Sequence, residues 1–323
     1  MHVNILEIKF KSCSHLKAIA QVFLGKIYFV QLENGALEGV IKVIQLENIN
    51  ILIFLFNYRL ALVGERDKSK FHIFTELNND PNQGRKFHTA NDISISSNAL
   101  FGYNFKINNH DFVFEKNSKI CCISGERDFF NSANGSNQDR ALQKTLLNTN
   151  ARLTLIKNDL GSLFSERYLP KIISDEEEYE EEIMKQLYLS FSSECLSHAP
   201  PNEMSQRSWH AYKLLSICSD NKSVNYTVEQ LASLLNYSRT SLTKACEEKF
   251  GLGTLKLMKA IKLDQARYLF TNQELLYELG LRTITDVSYY CGFQNRSHFA
   301  RQYGSRFKEM PSQTFEKNKQ LEV

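Results

Sequence analysis

Between Tyr28 and Ser124, apolar residues either alternate with polar ones or gather in short runs. The runs are IYFVQL (27–32), VIKVIQL (40–46), NILIFLF (50–56), FHIFTEL (71–77), DISIS (92–96), DFVFE (111–115) and KICCIS (119–124). Gly, Asn and Asp punctuate them, which predicts an all-β sandwich or barrel. The polar stretch NSANGSNQDR (131–140) reads as a loop. The period then becomes helical. Leu153, Ile156, Leu160, Leu163 and Phe164 share one face, and Tyr168-Leu169-Pro170 ends the segment. A second helix is predicted to open at Ser174, with Ser174-Asp175-Glu176-Glu177 as a capping box and Ile183, Leu187 and Phe191 as its stripe. Its acidic start, Asp175 to Glu182, complements the helix dipole and solvates the outer face. These helices pack on the β region or on a second subunit. His198-Ala199-Pro200-Pro201-Asn202 cannot stay helical and marks a linker.

Beyond the linker the grammar changes. Residues 205–219 form a helix carrying Trp209, Tyr212, Leu215 and Ile217. Thr227-Val228-Glu229-Gln230 is a capping box for a short helix with Val228, Leu231, Ala232 and Leu235 at helical spacing. Asn236 supplies a left-handed turn, and Ser238 caps a further helix running to Phe250. Leu242, Ala245, Cys246 and Phe250 form its inner face; Arg239, Thr240, Thr243 and Lys244 form its outer face. Two short helices about a tight turn describe a helix-turn-helix. The pattern repeats about 57 residues later. Thr283 caps with Asp286, Ile284, Val287 and Cys291 face inward, Gly292 turns and Phe293 plugs the core. Asn295 caps a second helix with Phe299, Tyr303 and Phe307 inside, and Arg296, Ser297, Ala300 and Arg301 outside. The helix between the units, Leu255 to Phe270, is roughly 24 Å long at 1.5 Å per residue. It can hold two reading helices about one DNA turn apart, roughly 34 Å.

The expected architecture is therefore α+β. Residues 1–198 form a β-rich, barrel-like domain with two helices, 199–204 a linker, and 205–323 an all-α domain with units at 227–251 and 283–307. Length agrees with two domains. Charge sharpens the division. Residues 1–204 hold 22 Lys/Arg against 25 Asp/Glu, and residues 205–323 hold 17 against 11, a net of +6 on the side expected to meet a polyanion. Seven scattered cysteines without a CxxC pair read as buried free thiols of a reducing cytosol. No secretory signal opens the chain, and Ile49–Val63 is too short and too polar to span a bilayer. A soluble cytoplasmic protein, associated with the nucleoid when on DNA, is expected.

Residues 205–318 resemble the DNA-binding domain of the AraC/XylS family of bacterial transcription regulators. The resemblance is carried by ITDVSYYCGFQNRSHFARQYGSRFKEMPSQTF (284–315), by TVEQLASLLNYSRTSLTKACEEKFG (227–251) and by KLDQARYLF (262–270). Asn236 and Lys308 stand where that family has Gly, and Met310 where it has Ser or Thr. The resemblance implies that both reading helices enter successive major grooves of promoter DNA. By position, Thr240, Thr243 and Lys244 face bases from the first unit, and Arg296, Ser297 and Arg301 from the second. Arg pairs bidentately with guanine and Thr suits thymine. Arg239 and the caps Ser238 and Asn295 meet phosphates, which set register. His298 buttresses the second helix start, and Cys246 and Cys291 are core thiols.

The resemblance further implies a promoter activator that contacts RNA polymerase and receives a signal through its N-terminal domain; a small-molecule effector, a homodimer and a repressor role are left open. The competing reading is a DNA-tethered enzyme with a catalytic β domain. No Walker loop, Gly-x-Gly-x-x-Gly turn or Gly-x-Ser-x-Gly elbow supports it, and no enzyme is expected. His72, His88 and His110 are isolated in sequence, so neither a metal nor another cofactor is expected. A redox role for Cys121-Cys122 is the minor alternative to burial.

Overall fold

A computed structural model of the chain describes residues 4–77, 87–97, 99–132, 146–153, 163–164, 175–192, 198–199, 202–220 and 226–319. The first half is built from β1 (Asn4–Phe10), α1 (Cys13–Leu24), β2 (Gly25–Gln31), β3 (Gly39–Gln45), β4 (Ile49–Phe56), β5 (Leu60–Arg66) and β6 (Lys70–Glu76). After these come β7 (Phe87–Ala90), β8 (Ile93–Ser96), β9 (Ala99–Phe101), β10 (Asn109–Phe114), β11 (Ser118–Glu126), α2 (Arg127–Ser132), β12 (Ala151–Leu153), α3 (Glu176–Ser192) and β13 (His198–Ala199). The strands form two antiparallel sheets, ordered β1-β3-β4-β11-β6-β9-β12-β13 and β2-β5-β10-β7-β8. Each of the seven predicted runs falls on a strand, five of them overrunning it by one residue at one end.

Alternation decides which core each side chain joins. In the five-stranded sheet, Ile27, Phe29, Leu60, Leu62, Phe112 and Phe114 point to the core shared with the larger sheet. Tyr28, Val30, Ala61, Val63 and Val113 point the opposite way, into a core shared with the C-terminal helices. Cys121 and Cys122 are likewise parted, one beneath α3 and one between the sheets. Ile183, Leu187 and Phe191 of α3 seat that helix on the outer face of the larger sheet.

Several expectations need correction. Leu153 lies in β12, paired with Ala99, and not on a helix. The cap of α3 is Asp175, whose carboxylate accepts from Glu178 N at 3.1 Å; Ser174 lies outside the described residues. Ala199 pairs with Ala151 in a strand and is not free linker. Asn131 falls in α2, and most of the expected 131–140 loop lies outside the described residues, as do Ile156, Leu160 and Tyr168-Leu169-Pro170. Helix α1, which the pattern reading passed over, has Ser12 as its cap and buries Leu16, Ala20 and Leu24 as one stripe. Each buried leucine contributes about 1.5–3 kcal/mol. The three histidines are core residues. His72 and His110 meet edge to face at 4.9 Å, and burial holds both neutral, His72 down at about 3. His88 bonds Glu76 at 3.1 Å.

The second half is helical: α4 (Gln206–Asp220), α5 (Val228–Leu234), α6 (Arg239–Phe250), α7 (Thr254–Phe270), α8 (Gln273–Glu278), α9 (Ile284–Tyr290), α10 (Arg296–Phe307) and α11 (Pro311–Lys319). Leu242, Ala245, Cys246 and Phe250 of α6 join Leu231 of α5 and Leu215 of α4 against the five-stranded sheet. Val287, Cys291, Phe299, Tyr303 and Phe307 form a separate core with Leu263 and Phe270 of α7. The architecture is α+β, a β-rich region followed by a helical one. Among the described residues no helix is long and apolar enough to cross a membrane.

Candidate nucleic-acid interface

The two helix-turn-helix units, α5–α6 and α9–α10, are built by the same hydrogen bonds. Thr227 accepts from Gln230 N at 3.1 Å while the Gln230 side chain accepts from Thr227 N at 2.8 Å. Thr283 and Asp286 repeat this box at 3.1 and 2.8 Å. Each box satisfies two backbone N–H groups that a helix start otherwise leaves open. The turns repeat as well. Tyr237 N donates to Ala232 O and Phe293 N to Ser288 O, both at 2.9 Å. Both bonds cross a residue with positive φ, Asn236 at 50° and Gly292 at 79°. This is the Schellman arrangement. Asn tolerates that region because its short polar side chain bonds locally.

The second helix of each unit is capped as expected. Ser238 Oγ accepts from Ser241 N at 3.1 Å, and Asn295 Oδ1 from His298 N at 2.9 Å. Each ends on a left-handed residue, Gly251 at φ 67° and Lys308 at φ 60°. The outer faces are open. Arg239, Thr240 and Lys244 are exposed on α6, and Arg296, Ser297 and Arg301 on α10. Among the described residues no ion pair engages Lys244, Arg296 or Arg301, so three cations stand ready for a polyanion. Arg239 instead reaches Glu229 at 2.8 Å, with both side chains largely exposed. An exposed pair of this kind contributes little and yields readily to a phosphate.

Two assignments differ from expectation. Thr243 is half-buried, and its hydroxyl donates to Arg239 O at 3.0 Å and lies 3.3 Å from Thr254 Oγ1. That hydroxyl holds α6 to α7. His298 is exposed beside Gln302, whose amide nitrogen lies 2.8 Å from the ring Nε2, so it does not buttress the helix by burial.

Sequence reasoning missed the polar joint behind the two reading helices. The last turn of α6 carries Lys249, buried against Asp111 of β10 and 3.3 Å from Asp92. The last turn of α10 carries Arg306, which donates to Gln31 O at 2.6 Å and to Asn34 Oδ1 at 3.1 Å. On α7, Asp264 accepts from Cys13 N, Ser14 N and Ser14 Oγ at 2.7–2.8 Å, at the positive end of the α1 dipole. Burial nevertheless raises its carboxyl above the ordinary value. Arg267 donates to Lys11 O at 2.6 Å, pairs with Glu309 and lies over the Phe307 ring. Burial opposes ionisation of Glu309, but its Thr314 hydrogen bond and the Arg267 charge outweigh it and hold the carboxyl below the usual range. The available signal was the placement of charges on inner helical faces, Lys249 in the last turn of α6 and Arg306 in the last turn of α10.

Comparison with known proteins agrees with this geometry. A helix-turn-helix domain family matches residues 231–317. The XylDLEGF operon transcriptional activator 2 of Pseudomonas putida is 29% identical over 107 residues, covering 33% of this chain and 66% of that protein, just under two thirds. A probable AraC family transcriptional regulator from Rhodopseudomonas palustris is 27% identical over 34% of this chain and 96% of its own, with a TM-score of 0.31. ToxT from Vibrio cholerae, 13% identical, is matched over 97% of both chains with a TM-score of 0.35. The C-terminal region contains an AraC-type helix-turn-helix domain.

Proposed function

We propose that this protein is a sequence-specific transcription regulator that activates promoters in the cytoplasm by placing α6 and α10 in successive major grooves. The repeated unit carries this reading: two helices with the same caps and turns each present an exposed, partly cationic outer face. Lys244, Arg296, Ser297 and Arg301 reach bases, with Thr240 beside them, while Ser238, Arg239 and Asn295 hold phosphates. Thr243 serves mainly through its methyl group, because its hydroxyl is engaged. The activator sense is supported by the name of the Pseudomonas relative, and it requires contact with RNA polymerase. The N-terminal region, residues 1–198, supplies the signal input, through a small molecule or a second copy of the chain.

Selection from a random duplex library by the full chain tests this reading. It is expected to yield two short conserved blocks about one helical turn apart, roughly 10 bp. Affinity for the selected duplex is expected to exceed that for random duplex by roughly 10³-fold or more at physiological salt. Recovery of no common sequence, with equal affinity for both duplexes, removes the proposal.

A further inference from the structure

We propose that the open edge of β1 pairs with the same edge of a second copy of this chain, antiparallel and centred on Ile8. β1 ends the larger sheet. All 7 of its residues, Asn4–Phe10, pair one to one with β3, and among the described residues no strand lies on its other side. Asn4, Leu6, Glu7 and Lys9 are exposed. An unpaired edge presents a row of N–H and C=O groups to any extended segment, and proteins ordinarily blunt it with proline, a bulge or charge. β1 has no proline, and its unbroken register with β3 has no bulge. Its charges are the remaining guard, and there is one of each sign.

Those two charges select both the partner and the register. Side chains alternate along a strand, so Glu7 and Lys9 share the outer face, while Leu6 and Ile8 share the inner one. Among the described residues neither Glu7 nor Lys9 has an ion-pair partner. An antiparallel copy centred on Ile8 sets Glu7 opposite Lys9 of the second copy, and Lys9 opposite its Glu7. Each Glu7 then lies between Lys42, its neighbour across β3, and the new lysine. On the inner face Leu6, 44% exposed, comes to lie opposite Phe10 of the copy. A slip of two residues either way, the smallest that keeps the faces, sets Glu7 against Glu7 or Lys9 against Lys9. Like charges directly opposite destabilise a strand pair. The strand is thus complementary to its own copy in one register.

Joined in this way, the two larger sheets become one, about a two-fold axis normal to it. In each copy the helical half packs behind the five-stranded sheet, on the inner side of the larger one. Both helical halves therefore fall on the same side, where one duplex can reach them. The edge deepens the second-copy branch of the proposed signal input and rests on that reading for its regulatory meaning.

Sedimentation velocity of the full-length chain at tens of micromolar, with circular dichroism to confirm folding, tests the edge. The chain is expected to sediment as a dimer at low salt. Glu7→Lys and Lys9→Glu should each weaken dimerisation by about tenfold or more, because each sets like charges opposite at both pairings. Mixing the two variants sets an edge of two lysines against an edge of two glutamates and is expected to restore a one-to-one dimer. Oxidation of Ile8→Cys is expected to link two copies, since the axis places the two Cα atoms about 4.5–5.5 Å apart, within disulfide reach. Leu6→Cys lies roughly 13 Å along the strand from its copy, at about 3.3 Å per residue, and is expected to stay unlinked. A chain that is monomeric at every concentration overturns the proposal. So does a dimer unmoved by either charge variant, a mixture that stays monomeric, or Leu6→Cys linking as readily as Ile8→Cys. Affinity for the selected duplex is measured on the same preparations. Loss of sequence preference with the dimer intact removes the regulator reading and leaves the edge assignment standing.

Discussion

Replacing Lys249 with Met leaves the Asp111 carboxyl in place and removes its cation. Asp111 is fully buried, and the Lys249 side chain is 3% exposed. Burial already pushes the Asp111 carboxyl above the usual carboxylate range even with Lys249 beside it. The pair therefore costs as much to desolvate as its attraction returns, and removing one member exposes the cost. Breaking a buried pair destabilises by about 3–5 kcal/mol, whereas replacing both members by apolar residues is often neutral. Lys249→Met is thus expected to cost about 3–5 kcal/mol at pH 8, and Asp111→Val/Lys249→Met to recover all but about 1 kcal/mol. The pH dependence follows from the raised pKa. Below about pH 4, near the unfolded carboxylate value, Asp111 is protonated in both states and carries no charge penalty. As pH rises towards the folded pKa, the unfolded state ionises first, so Lys249→Met loses stability with rising pH. Urea unfolding followed through Trp209 measures this. It is the only tryptophan in the chain, and its ring lies 5.3 Å from that of Tyr212 at the same interface. A single-variant cost below about 1 kcal/mol at pH 8, typical of an exposed pair, would refute the reasoning. A double variant as unstable as the single one would do the same.

Arg301→Ala is expected to weaken the selected duplex by about 1–3 kcal/mol and to relax preference at one position, read by titration against single-base variants. Arg239→Ala should weaken all duplexes alike and flatten the salt dependence by about one unit of slope. Lys308→Gly relieves a non-glycine residue at φ 60° and should raise stability by about 0.5–1 kcal/mol in a melt, net of the added unfolded-state entropy. Thr283→Ala removes the cap of α9 and should cost about 1 kcal/mol, with the second unit losing amide protection before the first. Among the described thiols, half-buried Cys218 should react first with a thiol reagent in mass-resolved labelling. Its pKa is pushed up to about 12 by burial, so the reaction is slow, and Cys121 and Cys122 should wait for unfolding.

The two helix-turn-helix units were legible because local chemistry specifies them. Thr227, Ser238, Thr283 and Asn295 announce helix starts, and Asn236 and Gly292 announce turns, with no need of distant contacts. The strands were legible where alternation was bounded by turn residues. They were harder to separate inside the apolar run Ile49–Val63, which is two strands, β4 and β5, parted by Asn57-Tyr58-Arg59. Helix α1 carried its own signal in Ser12, Leu16, Ala20 and Leu24, but it lies between strands and spans only three turns. The joint between the two halves was not legible at all. Asp264 bonds residues 250 positions away, and Arg306 one 275 away. At such separation no periodicity marks the partner. The Thr243 hydroxyl was misjudged for the same reason: its orientation depends on Thr254, on the next helix.

The five-stranded sheet is covered on both sides along the middle of β2, β5 and β10. Its inner face meets the other sheet and its outer face, through Tyr28, Val30, Ala61, Val63 and Val113, lies under α4, α5, α6 and α7. Severing the chain near residue 204 would lay that second surface bare as a broad greasy wall. A truncated amino-terminal fragment should therefore clump during expression, and partial proteolysis should degrade the two halves together instead of releasing one intact.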